Sequence, residues 1–484
     1  MTATPFTRRE ALKNGMIGVA SLTVAERLLA YGGQNEALAA MKPTLARKGY
    51  GPPVFKKGQP LALPKGFRFV RFDRAGSRMS DGLLMPTCHD GTGYFKGRRD
   101  TVWIVRNQEG FQRGRAQSRV NAYDPIAQGG VTVSHFNTQT GKVLGNALAL
   151  NGTDNNCNGG VTPWGTWLSG EENTVGKEQA YGAEHGYVFE VPARANSIIE
   201  PRPIKAMGRF VHEACPVDPK TGIVYMTEDN GDPGDGFYRY LPHHKGKLHR
   251  GGKLQMLAIH GRPKYNTATH QEVGEKLECR WVDISDPDPN GADRFPQAVY
   301  MQGRHNGGAK FLGLEGGTFS KGSCYFTASD GGDTGQGQIW QYTPDNKNFK
   351  RGTLQLVYES HFHRVLAGPD AITQSPRGGI LVCEDGASED VKGQPSRFKY
   401  ISPNGKLNDF GVVTEPMQLH DNIAADLFPF NPDRWDHPPE KGEGVGHSEA
   451  AGVGFSPDGK WLFLHIQYQG ETFAITGPWD KGWL

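Results

Sequence analysis

"HEACPVDPKTGIVYMTED" (residues 212–229) opens on Glu213 and closes on Glu228 and Asp229, with the turn-forming "DPKTG" between two apolar runs. Pro and Gly midway between apolar segments predict a β-hairpin, and a hairpin returns its second strand beside the start of its first. The acids are thereby gathered at one open end instead of being spread over a solvated face. Four more stretches repeat the arrangement: "NNCNGGVTPWGTWLSGEEN" (155–173), "LEGGTFSKGSCYFTASDGG" (314–332), "GPDAITQSPRGGILVCEDG" (368–386) and "SEAAGVGFSPDGKWLFLHIQ" (448–467). Cys157 and Glu172, Glu213 and Glu228, Glu315 and Asp330, and Asp370 and Asp385 all stand fifteen residues apart. That common spacing puts polar groups side by side in each unit.

Aromatic-rich third strands follow several hairpins: "GYVFEVP" (186–192), "GFYRYLP" (236–242), "GQIWQYTP" (337–344) and "SRFKYISP" (396–403). One small sheet per repeat predicts an all-β, six-bladed β-propeller, whose innermost strands line a central channel. Five units are clear. "TVWIVRNQEG" (101–110), with "GLLMPTCHDG" (82–91), supplies the sixth. Stretches 243–300 and 404–446 read as insertions over one rim. A single catalytic propeller over residues 50–484 is expected, because no composition break divides the repeats.

Composition agrees with this class. The 484 residues include 66 Gly and 32 Pro, which disfavours long helices. A formal charge of +3 with dispersed basic residues gives no footprint for nucleic acid. No apolar run is long enough to span a membrane. "TRREALKNG" (7–15) sets Arg8 and Arg9 before "MIGVASLTVA", and "ALAA" (37–40) offers small residues for cleavage. This resembles a twin-arginine export signal over residues 1–39, with Ala11 where Phe is usual; an amphipathic N-terminal helix is the alternative. Export implies the twin-arginine translocase as a transient partner and a periplasmic or secreted location. The six cysteines lack any CxxC. Cys324 and Cys383 read as small buried hydrophobes, and an oxidising compartment would permit disulfides without specifying pairs.

Glu109, Glu172, Glu213, Glu228, Glu315, Asp330, Glu384 and Glu449 cannot share one mouth as free anions, because like charges in a desolvated site repel. Bound cations resolve this. Carboxylates, Asn156 and backbone carbonyls suit Ca2+, whereas a thiolate at Cys157 suggests a softer metal such as iron. Pairing with Arg209, Arg239, Arg304 or Arg377 is the structural alternative. "NNCNGGVTPWGTWLSGEEN", "HEACPVDPKTGIVYMTED", "SPRGGILVCEDG" and "YDPIAQGGVTVSHF" (123–136) resemble the PhoX-type alkaline phosphatases, from about residue 60 onward. The resemblance implies a six-bladed propeller and phosphomonoester hydrolysis at a centre of Fe3+ and Ca2+ around a bridging oxo group. It further implies that Cys157 binds iron and that the hairpin acids hold metals. Glu384 is a candidate for both ligation and catalysis, and Arg304 a candidate for gripping phosphate; His212 and His447 are candidate orienters of the ligands. Gln108 and Gly170 depart from the family pattern, which has His and Cys there. A small phosphorylated substrate and a monomer are expected. A calcium-dependent lactonase or arylesterase, and a non-catalytic periplasmic binding propeller, remain as alternatives.

Overall fold

A computed structural model describes residues 49–110, 114–385, 396–414, 449–467 and 469–484. The export signal, His447 and most of 404–446 therefore lie outside the described residues. The chain forms a six-bladed β-propeller. Blade I comprises His89–Lys96, Thr101–Gln108, Gly129–Asn137 and Lys142–Thr153. Blade II has Asn156–Val161, Thr166–Glu171 and Val188–Pro192. Blade III starts with an extended segment at 212–217, then Val224–Thr227, Phe237–Pro242, Gly252–Ile259 and Lys276–Asp283. Blade IV is Leu314–Ser320, Ser323–Ala328, Gln338–Pro344 and Gly352–Glu359. Blade V is Pro369–Gln374, Ile380–Glu384, Arg397–Ile401 and Leu407–Val413. Blade VI combines Ala450–Phe455, Leu462–Ile466 and Glu471–Thr476 with Arg68–Phe72 from the other end of the chain, which closes the ring.

Hydrogen bonding joins these blades into five sheets among the described residues, because Lys276–Asp283 pairs with Gly352–Glu359 and fuses blades III and IV. Stretch 243–300 is thus partly sheet, with a short helical turn at Leu248–Arg250 and the start of a helix at Ala298–His305, and is not wholly an irregular insertion. Residues 407–413 likewise serve as the fourth strand of blade V, with Leu61–Pro64 paired beyond it. The inner segment of blade III bonds to its neighbour at His212–Glu228 and Val217–Val224, but Pro216 has no N–H to continue a regular ladder.

Apolar side chains of facing blades fill each of the six seams. Val105, Val131, Trp167 and Phe189 join blades I and II. Leu168, Val224, Tyr238 and Met256 join II and III, and Tyr225, Phe237, Phe326 and Trp340 join III and IV. Ile339, Ile372 and Val382 lie between IV and V, Leu381, Phe398, Leu462 and Phe473 between V and VI, and Ile104, Phe136 and Phe463 between VI and I. Each fully buried aromatic or aliphatic side chain contributes roughly 1.5–3 kcal/mol. The aromatic third strands are blade packing, as their composition suggests. All six cysteines are unpaired, and Cys324 and Cys383 are buried in these seams.

The inner strands meet backbone to backbone around the axis, which accounts for their glycines. A Cβ on Gly160 would stand 1.8 Å from the Cys215 carbonyl oxygen, and one on Gly91 would stand 2.4 Å from the Cα of Asn158. Below this level the channel holds a cavity of ≈ 200 Å³, which includes Thr92, Val161, Val217, Thr318, Ile372 and Val453 in its lining. Gly160→Ala should force two backbones apart and cost about 1–3 kcal/mol, read as a lower denaturation midpoint; an unchanged midpoint contradicts this packing.

Candidate metal centre

Every inner strand is knitted to the second strand of its blade near the same mouth of the channel. The last pairs toward that mouth are His89 with Gln108, Asn156 with Glu171, His212 with Glu228, Leu314 with Ala328, Pro369 with Glu384, and Ala450 with Ile466. Of the five inner strands with a regular ladder, four shift register directly after that pair and the one in blade VI shifts one pair further in, after Ala451–His465, a bulge at the mouth. The residue entering the bulge in those four is Asp90, Cys157, Glu315 or Asp370, and Glu213 follows the corresponding pair in blade III. On the second strand the next residue is Glu109, Glu172, Asp229, Ser329, Asp385 or Gln467.

These groups converge. Asp90, Glu109 and Cys157 present ligand atoms within 4.8 Å of one another, as do Cys157, Glu172 and Glu213, and Glu213, Glu315 and Asp370. Cys157 and Glu213 are each shared by two groups, so the three form a chain across the mouth. The Gln467 amide donates to Asp90 Oδ2 at 2.6 Å and also to Glu109 Oε2. Asn155 Nδ2 donates to Glu172 Oε2 at 2.9 Å, and Ser329 Oγ donates to Glu315 Oε1 at 2.7 Å. Glu449 is hydrogen-bonded to Asp370.

Burial, and then the neighbouring carboxylates, push Asp90, Glu109, Glu213, Asp229, Glu315 and Glu449 well above the usual range. Burial is also the main cause that pushes Glu172 up to about 7. The Cys157 thiol is raised by burial and by Asp90 and Glu172. Among the described residues no ion pair with an arginine or lysine neutralises these acids. Arg209 pairs with Glu184, Arg239 packs over Trp281, Arg377 donates to the Gly459 carbonyl, and Arg304 donates to the Gly308 carbonyl at 2.6 Å.

Several candidates stand apart from the convergence. Glu228 turns into its blade, where it accepts bonds from Gly236 N at 3.0 Å and Tyr238 Oη at 2.6 Å. Glu384 is gripped by Arg397 at 2.6 and 2.7 Å and by Ala367 N. Both occupy the paired position, whose side chain faces away from the channel, and Glu171 behaves likewise through His185, Gly186 N and Tyr187 N. Asn156, also paired, bonds Thr153 and Ser169. Asp330 lies one residue beyond the mouth position and is exposed. Arg304 belongs to the helix Ala298–His305, where it holds its own C-terminal turn. His212 is buried under Phe210 and bonded to the Gly208 carbonyl, with its pKa lowered to about 4 by burial.

The structure adds Asp90, Asp229 and Asp370. Asp370 and Asp229 were signalled by the hairpin ends. Asp90 was hidden because its hairpin is longer, so Glu109 falls outside the fifteen-residue spacing.

A family model for "Alkaline phosphatase PhoX" matches residues 48–149 and 142–470. The chain belongs to the PhoX alkaline phosphatase family. Among solved structures it is similar to Pseudomonas fluorescens PhoX in complex with vanadate, a transition state analogue. That match has 17% identity and a TM-score of 0.62, over 87% of this chain and 97% of the other. It also aligns with the gluconolactonase XC5397 from Xanthomonas campestris at 11% identity and a TM-score of 0.41, over 89% and 99% of the two chains. No curated protein matches the sequence. The PhoX propeller and the likeness to the P. fluorescens enzyme agree with the fold read from the hairpins. No helix among the described residues is long and apolar enough to cross a membrane.

The raised carboxyl groups give a pH dependence with a definite sign. A carboxyl whose folded-state pKa is raised favours the folded state fully below its unfolded pKa, and that advantage is lost as pH rises through the folded value, about 7 for Glu172. Protein stripped with EDTA should therefore lose thermal stability between about pH 5 and about pH 8, whereas cation-loaded protein should change little. Parallel pH profiles of the two forms in scanning calorimetry would contradict mutual repulsion at the mouth.

Proposed function

We propose that the protein is an exported, metal-dependent phosphomonoesterase whose centre of iron and calcium sits at this mouth. The observation that carries the reading is Glu213. It is fully buried where two ligand groups meet, and among the described residues no N–H or O–H donates to either carboxylate oxygen, the Cys157 thiol alone coming near enough to bond it. Leaving such a group unpaired is costly, and a cation satisfies both oxygens at once. The donors fit the family's metals. Asp90, Glu109, Cys157, Glu172 and Glu213 include the thiolate suited to iron, whereas Glu213, Glu315 and Asp370 offer only oxygen, as calcium prefers. Glu449 supports Asp370, and Asp229 lines the same mouth.

When bound, such cations would neutralise the phosphate oxygens and activate the attacking oxygen. The chain's own residues organise that chemistry. Gln467 holds Asp90 and Glu109 as a pair, Asn155 orients Glu172, and Ser329 orients Glu315. The acids themselves repel a phosphate dianion, so substrate binding depends on the cations. The further reading is a monomer that acts on a small phosphorylated substrate in the periplasm or outside the cell. It carries a twin-arginine signal over residues 1–39.

Asp370→Asn and Glu315→Gln should leave the fold intact and lower phosphomonoesterase kcat by about 100-fold or more, since losing a direct ligand exceeds the loss caused by an outer partner. EGTA should remove activity, and calcium should restore it. Elemental analysis showing neither iron nor calcium, or full activity in either variant, overturns the reading. For export, replacing Arg8 and Arg9 by Lys should retain the protein in the cytoplasm, as fractionation would show.

A further inference from the structure

One position on each second strand lies immediately before the last pair toward the mouth: Asn107, Gly170, Thr227, Thr327, Cys383 and His465 in blades I to VI. Its side chain leaves the blade toward the next one. Asn107 Nδ2 donates to the Cys157 carbonyl at 3.1 Å and to that of Asn158 at 2.8 Å. Thr227 Oγ1 donates to the Glu315 carbonyl at 2.8 Å, and Thr327 Oγ1 to the Asp370 carbonyl at 2.7 Å. His465 Nε2 lies 2.7 Å from Thr92 Oγ1, whose hydroxyl donates to the Asp90 carbonyl at 2.6 Å. Because the Thr92 proton is used on that carbonyl, the histidine donates from Nε2. The far side agrees: Arg106 donates to Thr472 Oγ1 at 2.6 Å, leaving that hydroxyl to donate to His465 Nδ1 at 3.0 Å. Asn107, Thr227, Thr327 and His465 are all fully buried.

Three direct contacts, from one amide and two hydroxyls, thus end on one kind of target, the main-chain carbonyl of a mouth residue in the following blade, and His465 reaches the fourth such carbonyl through Thr92. The two gaps are informative. Gly170 has no side chain to offer to blade III, and blade VI has Ala451 where the others place a ligand.

We propose that Asn107, Thr227, Thr327 and His465 are positioning residues, each fixing from the preceding blade the backbone of a metal ligand. This rests on the reading that the mouth acids bind cations. A bulge frees its residues from the ladder, so the carboxylate above it is only as well aimed as its backbone is held. Packing alone would not require a hydroxyl or amide at these buried sites.

The test replaces Thr327 with Val, which keeps shape and removes the donor, and with Ser, which keeps the donor. Calcium is titrated into EGTA-treated full-length protein, and retained metals are counted by elemental analysis. Thr327→Val should bind calcium about 10- to 100-fold more weakly while keeping the metal held by Cys157, and Thr327→Ser should bind close to the wild type. Thr227→Val, acting through Glu315 in the same oxygen-only group, should reproduce the loss. Calcium affinity unchanged in both Val variants, or Ser and Val equally impaired, overturns the clamp. A wild type that binds neither metal overturns the metal reading and the clamp with it.

Discussion

Repulsion among carboxylates is the constraint on which the rest of this structure depends. Closing six blades into a ring forces six inner strands toward one axis, and the chain places Asp90, Glu109, Glu172, Glu213, Glu315 and Asp370 where they converge. As anions these acids need a counter-charge, and among the described residues no basic side chain supplies it. The ring must therefore hold the acids against their own repulsion. Its six apolar seams and the pairing of Arg68–Phe72 with Glu471–Thr476 provide that rigidity. A shared site assembled from several blades follows from the closure itself, since no blade alone contributes enough ligands.

The same geometry explains why Cys157 and Glu213 occupy junctions. Each adjoins two ligand groups, so one side chain can serve two cations. A softer donor at one junction and a hard one at the other grade the mouth from thiolate-bearing to oxygen-only. On the proposed reading, selection between iron and calcium would arise from donor type within one continuous cluster.

Much of this was legible in the sequence, and the limit of legibility has a physical cause. Repeated hairpins with polar ends carried the propeller and the convergence. Alternation along a strand, however, sends adjacent residues to opposite faces. "EE" at 171–172 and "ED" at 228–229 and 384–385 each contain one blade-internal acid and one at the mouth position, and spacing alone did not say which. Glu228 and Glu384 went inward, to Tyr238 and Arg397. Asp90 has no fifteen-residue partner because blade I has a longer hairpin. The orienting contacts of Gln467 and Asn155 link residues far apart in sequence or across the open end of a hairpin, and no local pattern announces them.

Bulging has a further consequence for how such a mouth is built. A regular ladder would fix each ligand's backbone through its own blade, but would also turn alternate side chains away from the axis. The shift at Asp90, Cys157, Glu315 and Asp370 releases the strand where a ligand is presented. Stability lost from the ladder has to be recovered by contacts from elsewhere, and the neighbouring blade is the nearest source. Glycines beside the bulge, such as Gly91 and Gly160, allow that neighbour to come within backbone contact. Close approach of the inner strands and precise aim of the ligands are therefore two results of one arrangement.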